Sequence, residues 1–234
     1  MSHLTMRSLA YIIMHRLFDQ VVLVTPAQQS SFWLPQTMRS AVVLPNIVDP
    51  NRIVMSREKR WDLAYLGRFS PEKRPDTFVE IVERVHRERP DLRSVMIGDG
   101  PLSASIKGQV AAWHLDNVID VVGFQPHPER FLAESRICLV TSRFEGSPVS
   151  VMEALLAGVP VIGPDVGGMA DLIDPSVGHL STGTADTVQQ CLRLLGDPEA
   201  LDTLSSAAHK KALERNDASH FRAILNRLYA PERA

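Results

Sequence analysis

Short apolar runs alternate with amphipathic stretches along the chain from Trp61 onward. The helical stretch from Pro75 to Arg89 carries apolar residues on one face and a proline at its start. Alternation of this kind is typical of a parallel sheet covered by helices on both faces, which is an α/β, Rossmann-like fold. The predicted strands are 63–66, 94–97, 118–122, 137–140 and 159–162, with 41–44 as a sixth; 101–114 and 128–135 are further predicted helices.

The two ends of the chain differ from this pattern. Residues 1–38 predict a helix, a strand at 21–24 and a second helix after Pro26, which is one βα unit with no sheet of its own. After residue 184, apolar residues recur at helical spacing up to Leu228. The sequence therefore predicts a helical tail.

Composition restricts the classes of function. The chain has 234 residues, 44% hydrophobic and 22% charged, with a net charge of −2, so it predicts a soluble globular protein that does not bind nucleic acid. Cys138 and Cys191 fall on apolar elements and predict core thiols in a reducing compartment. The eight histidines show no paired ligand spacing, so no metal site is predicted.

The apolar run at 9–14 is too short to span a membrane and lacks a signal-peptide pattern. We therefore predict a cytoplasmic protein. Peripheral association with a membrane surface is the alternative, because an interfacial helix and a helix packed on a sheet have the same pattern.

Two carboxylates, Glu145 and Glu153, flank the start of a predicted buried helix. Ser147 is the predicted N-cap, Pro148 the first helical residue and Gly158 the residue just past the end. Glu153 lies on an otherwise apolar helix and needs hydrogen-bond donors from the protein or from a ligand. Helix amides favour phosphate and carboxylates accept from sugar hydroxyls, so a nucleotide sugar is the predicted ligand; a core carboxylate satisfied internally is the alternative.

Two cations, Arg68 and Lys73, follow directly on a predicted strand. Carboxyl ends of parallel strands are where open α/β sheets bind ligands, so the pair suits a diphosphate without a metal; a solvated, charge-rich loop is the alternative. Gly98 and Gly100 follow the next strand and would allow close backbone approach to a ligand. They do not form a dinucleotide fingerprint, because Ser103 stands where its third glycine would be.

These segments resemble the retaining glycosyltransferases of family 4, also called glycosyl transferases group 1, and in particular the C-terminal donor-binding domain of their two-domain GT-B fold. The resemblance runs through 41–46, 65–73, 97–101, 122–124, the segment from Glu145 to Glu153, Gly167–Gly168 and the C-terminal helices. It implies transfer of a sugar from a nucleotide sugar to an acceptor hydroxyl, with retention at the anomeric carbon and without a cofactor.

The resemblance also implies roles for individual residues. Arg68 and Lys73 would hold the diphosphate, Glu145 the hydroxyls of the donor sugar and Glu153 those of the ribose. Arg68, Lys73 and Glu145 form the predicted catalytic group, and Asp171, where the family more often has glutamate, would lie at the mouth of the cleft. The remaining predicted donor-binding residues are Gly67, Gly98, Gly100, Phe124, Gly146, Ser147, Pro148 and Val149.

The same resemblance implies a division of the chain. Residues 1–38 would be a remnant of the N-terminal acceptor domain, 39–215 the donor-binding domain, and 216–234 a C-terminal helix that packs back toward the N-terminal segment. The acceptor would be a glycan, a lipid or a small molecule, and a partner chain or an N-terminal domain would complete the enzyme. The alternative is a non-catalytic nucleotide-sugar-binding subunit or interaction module.

Overall fold

The computed structural model describes residues 21–27 and 41–229. The strands are β1 (Val22–Leu23), β2 (Val42–Val43), β3 (Trp61–Leu66), β4 (Ser94–Ile97), β5 (Ile119–Gly123), β6 (Ser135–Leu139), β7 (Val161–Pro164) and β8 (Gly178–Ser181). The α-helices are α1 (Pro75–Glu88), α2 (Ser103–Ala112), α3 (Glu129–Ala133), α4 (Val149–Leu156), α5 (Met169–Leu172), α6 (Thr184–Leu195), α7 (Pro198–Arg215) and α8 (Ala218–Tyr229), and a 3₁₀ helix covers Pro50–Arg52.

Six of these strands form one parallel sheet in the order β5-β4-β3-β6-β7-β8. Side chains alternate across it: Leu63 and Tyr65 of β3 pack toward the cluster that contains α1 and α6, whereas Ala64 packs toward the cluster of α3, α4 and α7. Because both faces are covered, the central positions of the strands are mostly apolar and buried. The predicted α/β, Rossmann-like sheet with helices on both faces is confirmed.

The sixth predicted strand lies elsewhere. Residues 41–44 were expected to join the main sheet, but Val42–Val43 pairs in parallel with Val22–Leu23 in a separate two-stranded sheet. The strand predicted in the 1–38 segment therefore pairs with a strand outside that segment. The sixth strand of the main sheet is β8, whose glycine, histidine and serine dilute the apolar pattern at the sheet edge.

The other predicted elements agree with the structure to within a few residues. Cys138 and Cys191 are buried thiols, and burial raises the pKa of Cys138 to about 12. The helices predicted at 1–20 and 28–38 lie outside the described residues. Within the described ranges, no helix has both the length and the apolar character that crossing a membrane requires.

The packing of α1 on the sheet predicts a large loss of stability for one substitution. Phe78 is fully buried, with its ring 5.6 Å from that of Tyr65. Phe78→Ala should lower the free energy of unfolding by about 3–5 kcal/mol, because it removes buried apolar surface and leaves a cavity. Leu213→Ala, at a side chain that is 46% exposed, is the matched control and should cost less than about 1 kcal/mol. Urea denaturation followed by circular dichroism measures both, and equal losses would contradict this packing.

Candidate functional site

The carboxyl ends of the parallel strands bring the predicted site residues to one edge of the sheet. Residues 67–73 follow β3, 98–100 follow β4, Phe124 follows β5, and the loop that leads to α4 follows β6. A parallel sheet places these ends side by side, so residues far apart in sequence become neighbours.

A buried ion pair joins two of these loops. Nζ of Lys73 lies 2.6 Å from Oε1 and 2.7 Å from Oε2 of Glu145, and Ser142 Oγ donates to Glu145 Oε1 at 2.6 Å. Glu145 is 5% exposed, whereas the Lys73 side chain keeps 31% of its surface open. The carboxylate therefore has its partners inside the protein, and the ammonium still reaches solvent.

Hydroxyl groups after β6 hold the loop that carries Lys73. The Thr141 hydroxyl lies within hydrogen-bonding distance of the carbonyls of Lys73 and Arg74, at 2.9 and 2.8 Å. Sequence reasoning missed Thr141 and Ser142. The available signal was a pair of hydroxyl residues placed directly after an apolar strand, where a buried hydroxyl needs a partner.

Two glycines after β7 fit against the loop of Glu145. A Cβ on Gly167 would lie 1.7 Å from the Glu145 carbonyl oxygen, and one on Gly168 would lie 1.9 Å from that of Gly146. The N–H of Gly168 donates to the Glu145 carbonyl at 3.0 Å. These glycines therefore fix the position of the backbone that carries Glu145, the partner of Lys73.

The glycines after β4 make a similar approach to the loop after β3. A Cβ on Gly98 would lie 1.9 Å from the Gly67 carbonyl oxygen, and one on Gly100 would lie 2.5 Å from that of Phe69. These contacts give the two glycines a structural reason to lack side chains. Arg68 is exposed on the same loop, and the Tyr65 hydroxyl donates to its backbone carbonyl at 3.1 Å.

The helix after Glu145 starts later than predicted. Ser147 was expected at the N-cap and Pro148 at the first helical position, but Pro148 has an extended ψ of 115° and α4 begins at Val149. The Ser147 side chain does not cap the helix; its carbonyl instead accepts from Asn46 Nδ2 at 2.8 Å. Gly158 is confirmed as the residue past the helix end, with a φ of 69°.

Glu153 lies on α4 among five buried apolar residues of that helix. Within residues 21–27 and 41–229 its carboxylate has no hydrogen bond and no cation within 4 Å. Desolvation, reinforced by the negative charge of Glu129 and opposed by Arg52, raises the pKa of Glu153 above its usual value. The described part of the chain thus does not supply the donors that this carboxylate needs.

Two exposed apolar side chains border the same sheet edge. Phe124 is 75% exposed and follows Gly123, whose φ is 71°, and Val149 is 43% exposed at the start of α4.

Asp171 in α5 accepts a hydrogen bond from Thr25 and thereby joins the segment after β1 to the main sheet. Among the described residues, no group of three His, Cys, Asp or Glu side chains is arranged to hold a metal ion.

The sequence model of the family Glycosyl transferases group 1 matches residues 51–211, and the chain belongs to this family. It is 31% identical over 154 residues to a 2-deoxystreptamine N-acetyl-D-glucosaminyltransferase of Niallia circulans, a match that covers 58% of this chain and 40% of the relative. It is 32% identical over 141 residues to the amylovoran biosynthesis glycosyltransferase AmsK of Erwinia amylovora, a match that covers 55% of this chain and 35% of the relative. The chain therefore spans less than half the length of these relatives.

Solved structures share the fold. TarM of Staphylococcus aureus, crystallised with UDP among its ligands, superposes with a TM-score of 0.84 at 20% identity, over 96% of this chain and 47% of its own. HepE of Anabaena, in complex with UDP, superposes with a TM-score of 0.81 at 20% identity, over 92% of this chain and 65% of HepE. The resemblance to glycosyl transferases group 1 and to the GT-B fold is confirmed.

The close approach at Gly168 predicts a specific destabilisation. Gly168→Ala should lower the melting temperature by several degrees, because the new Cβ would collide with the Gly146 carbonyl and the backbone would have to move. Gly108→Ala is the control: it lies inside α2 with no atom near its Cβ position, and alanine there should stabilise by about 0.5–1 kcal/mol. Thermal unfolding of both variants measures the change in melting temperature. An unchanged melting temperature for Gly168→Ala would contradict the close contact between Gly168 and the Gly146 carbonyl.

Proposed function

We propose that this chain is the donor-binding part of a retaining glycosyltransferase of family 4. It would transfer a sugar from a nucleoside-diphosphate sugar to an acceptor hydroxyl. The observation that carries the proposal is the Lys73–Glu145 pair beside an exposed Arg68, at the sheet edge where α/β folds bind ligands. Family membership and the UDP named with several structural neighbours support the same ligand class.

Glu145 retains capacity to bind a sugar in the proposal. A carboxylate has about four lone-pair directions, and Lys73 and Ser142 account for three contacts to its oxygens. A hydroxyl of the donor sugar could donate to the remaining one. Lys73 likewise has three N–H donors and an exposed side, so it can face a phosphate while it stays paired.

Glu153 is assigned to the ribose hydroxyls. It is partly desolvated and lacks hydrogen-bond donors in the described part of the chain, so a polyhydroxylated ligand would improve its environment. The first N–H groups of α4 and the backbone of Gly146, Ser147 and Pro148 would face the phosphates and the sugar. Phe124 and the turn at Gly123 would contact the base, with Gly67, Gly98 and Gly100 forming the floor.

Catalysis in this proposal is electrostatic and requires neither a metal nor a cofactor. Negative charge grows on the leaving diphosphate as the transition state acquires oxocarbenium character. Arg68 and Lys73 supply opposite charge there, and Arg68 offers a planar fork of donors where Lys73 offers a point charge. Glu145 binds the sugar and is not a nucleophile, because its carboxylate is already held by Lys73 and Ser142.

The acceptor side would lie largely in another domain or chain. We propose that 39–215 is the donor-binding domain of a cytoplasmic enzyme and that 1–38 belongs with the acceptor domain. The acceptor would be a glycan, a lipid or a small molecule. Asn216 contacts both backbone groups of Val48, at 2.9 and 2.6 Å, and so joins the start of the C-terminal segment to the start of the donor-binding domain. We propose that the C-terminal helix packs back toward the N-terminal segment.

Binding of UDP, measured by calorimetry, tests the site assignment. Arg68→Ala and Glu153→Gln should each weaken UDP binding about tenfold or more, because each removes a charge-assisted hydrogen bond. Arg84→Ala, on the exposed face of α1 where Arg84 pairs with Glu80, is the control and should bind as the native chain does. If neither site variant changes the affinity, the proposed donor site is wrong.

The raised pKa of Glu153 predicts a difference in pH dependence. Below the usual glutamate pKa of 4.5, Glu153 is protonated in both the folded and the unfolded chain. As the pH rises from there through the raised folded-state pKa, the folded native chain must ionise a desolvated group and loses stability relative to Glu153→Gln. The variant should therefore gain melting temperature over the native chain between pH 4 and pH 7, whereas the exposed control Glu88→Gln should not. A constant difference across this range would contradict the desolvation of Glu153.

A further inference from the structure

A cavity of about 220 Å³ opens at the carboxyl edge of the sheet. It lies between the starts of α1 and α6 and the ends of β6, β7 and β8, and its lining contains no aspartate or glutamate. Six of its lining residues carry the argument: Arg74, Thr77, Ser142, Arg143, Ser181 and Thr187. None of them belongs to the proposed donor-binding set.

Two arginines give this cavity a positively charged lining that contains no acidic residue. Neither Arg74 nor Arg143 has a carboxylate within 4 Å among the residues that the structure describes, although salt bridges occur elsewhere in the chain. The acids nearest to the arginines in sequence, Glu72, Asp76 and Glu145, do not line the cavity. Glu72 is a close neighbour all the same, because its backbone carbonyl accepts from the Arg143 N–H at 2.8 Å. Asp186 does not line the cavity either. The Asp186 carboxylate is already occupied by His179 and by the N–H of Thr182.

Two hydroxyl-bearing residues in the lining make no side-chain hydrogen bond within the described residues. Thr77 and Ser181 are each 6% exposed, and the side chain of neither makes a hydrogen bond within the described ranges. Their oxygens remain accessible from the cavity, so both hydroxyls can donate to an occupant that accepts hydrogen bonds. The Thr187 hydroxyl, by contrast, is satisfied by the Gly183 carbonyl at 3.1 Å.

Two long helices also begin at this cavity. Arg74 and Gly183, the N-cap residues of α1 and α6, both line it, and neither helix has a side-chain cap. Uncapped N–H groups and the positive ends of two helix dipoles favour an anion. The helix starts, the arginines and the unpartnered hydroxyls thus indicate the same chemistry.

We propose that this cavity binds a phosphate group, either as inorganic phosphate or as part of a small phosphorylated compound. Arg74 and Arg143 neutralise its charge, and Thr77 and Ser181 donate to its oxygens. The site lies directly behind the Lys73–Glu145 pair, because Ser142 lines the cavity and donates to Glu145. An occupant in contact with Ser142 would thereby influence the carboxylate that faces the donor.

Calorimetric titration of the full chain with inorganic phosphate and, separately, with glycerol phosphate tests the proposal. Arg143→Gln should weaken phosphate binding about tenfold or more, Arg143→Lys less, and Ser181→Ala by a smaller factor. Arg84→Gln is the charge-matched control on the exposed face of α1 and should leave the affinity unchanged. Tighter binding of glycerol phosphate would favour a phosphorylated compound, and tighter binding of inorganic phosphate would favour the free ion.

A further variant separates this cavity from the donor site. Arg68→Ala should leave phosphate binding intact, because Arg68 does not line the cavity. The proposal is overturned if the native chain does not bind phosphate at millimolar concentration, or if Arg143→Gln and Ser181→Ala both bind it as the native chain does. It is equally overturned if only Arg68→Ala abolishes binding, since phosphate would then occupy the donor site. Failure of UDP to bind would not affect this result.

Discussion

The ion pair between Lys73 and Glu145 is the contact on which the arrangement of the strand ends depends. Glu145 is almost completely removed from solvent, and a buried carboxylate without a partner is costly. Lys73 and Ser142 satisfy it; Ser142 belongs to the same loop, whereas Lys73 comes from the loop after β3. The loops after β3 and β6 must therefore hold a fixed separation, and this separation sets the geometry of the proposed donor site.

Close backbone packing maintains that separation. Gly98 and Gly100 fit against the loop after β3, and Gly167 and Gly168 fit against the loop that carries Glu145. Since no side chain can occupy these positions, each loop contacts its neighbour through main-chain atoms, which have little freedom to adjust. Rigid loops of this kind suit a site that acts by positioning charge around a substrate.

Charge is distributed unevenly around this edge. Glu145 is paired, and Glu153 is partly desolvated without a donor in the described part of the chain. Arg68 lies on the side of the edge proposed for the donor, and Arg74 and Arg143 line the cavity behind it. The same sheet edge thus offers cationic groups on two sides of one carboxylate, and Ser142, which lines the cavity, donates a hydrogen bond to that carboxylate.

The sequence by itself determined the fold class, most strand and helix positions, the family and the site residues proposed for the donor. Apolar runs such as 94–97 predict buried strands, because a strand covered by helices on both faces is mostly apolar. The edge strand β8 and the pairing of Val42 with Val22 were not predictable, since they depend on partners distant in the chain rather than on local pattern. Only the tertiary structure decided that Lys73 pairs with Glu145, that Gly168 lies under Gly146, and that Arg74 and Ser181 share a cavity. Each of these contacts depends on the position in the sheet at which the chain re-enters after a crossover helix. The spacing of residues along the sequence does not encode that position.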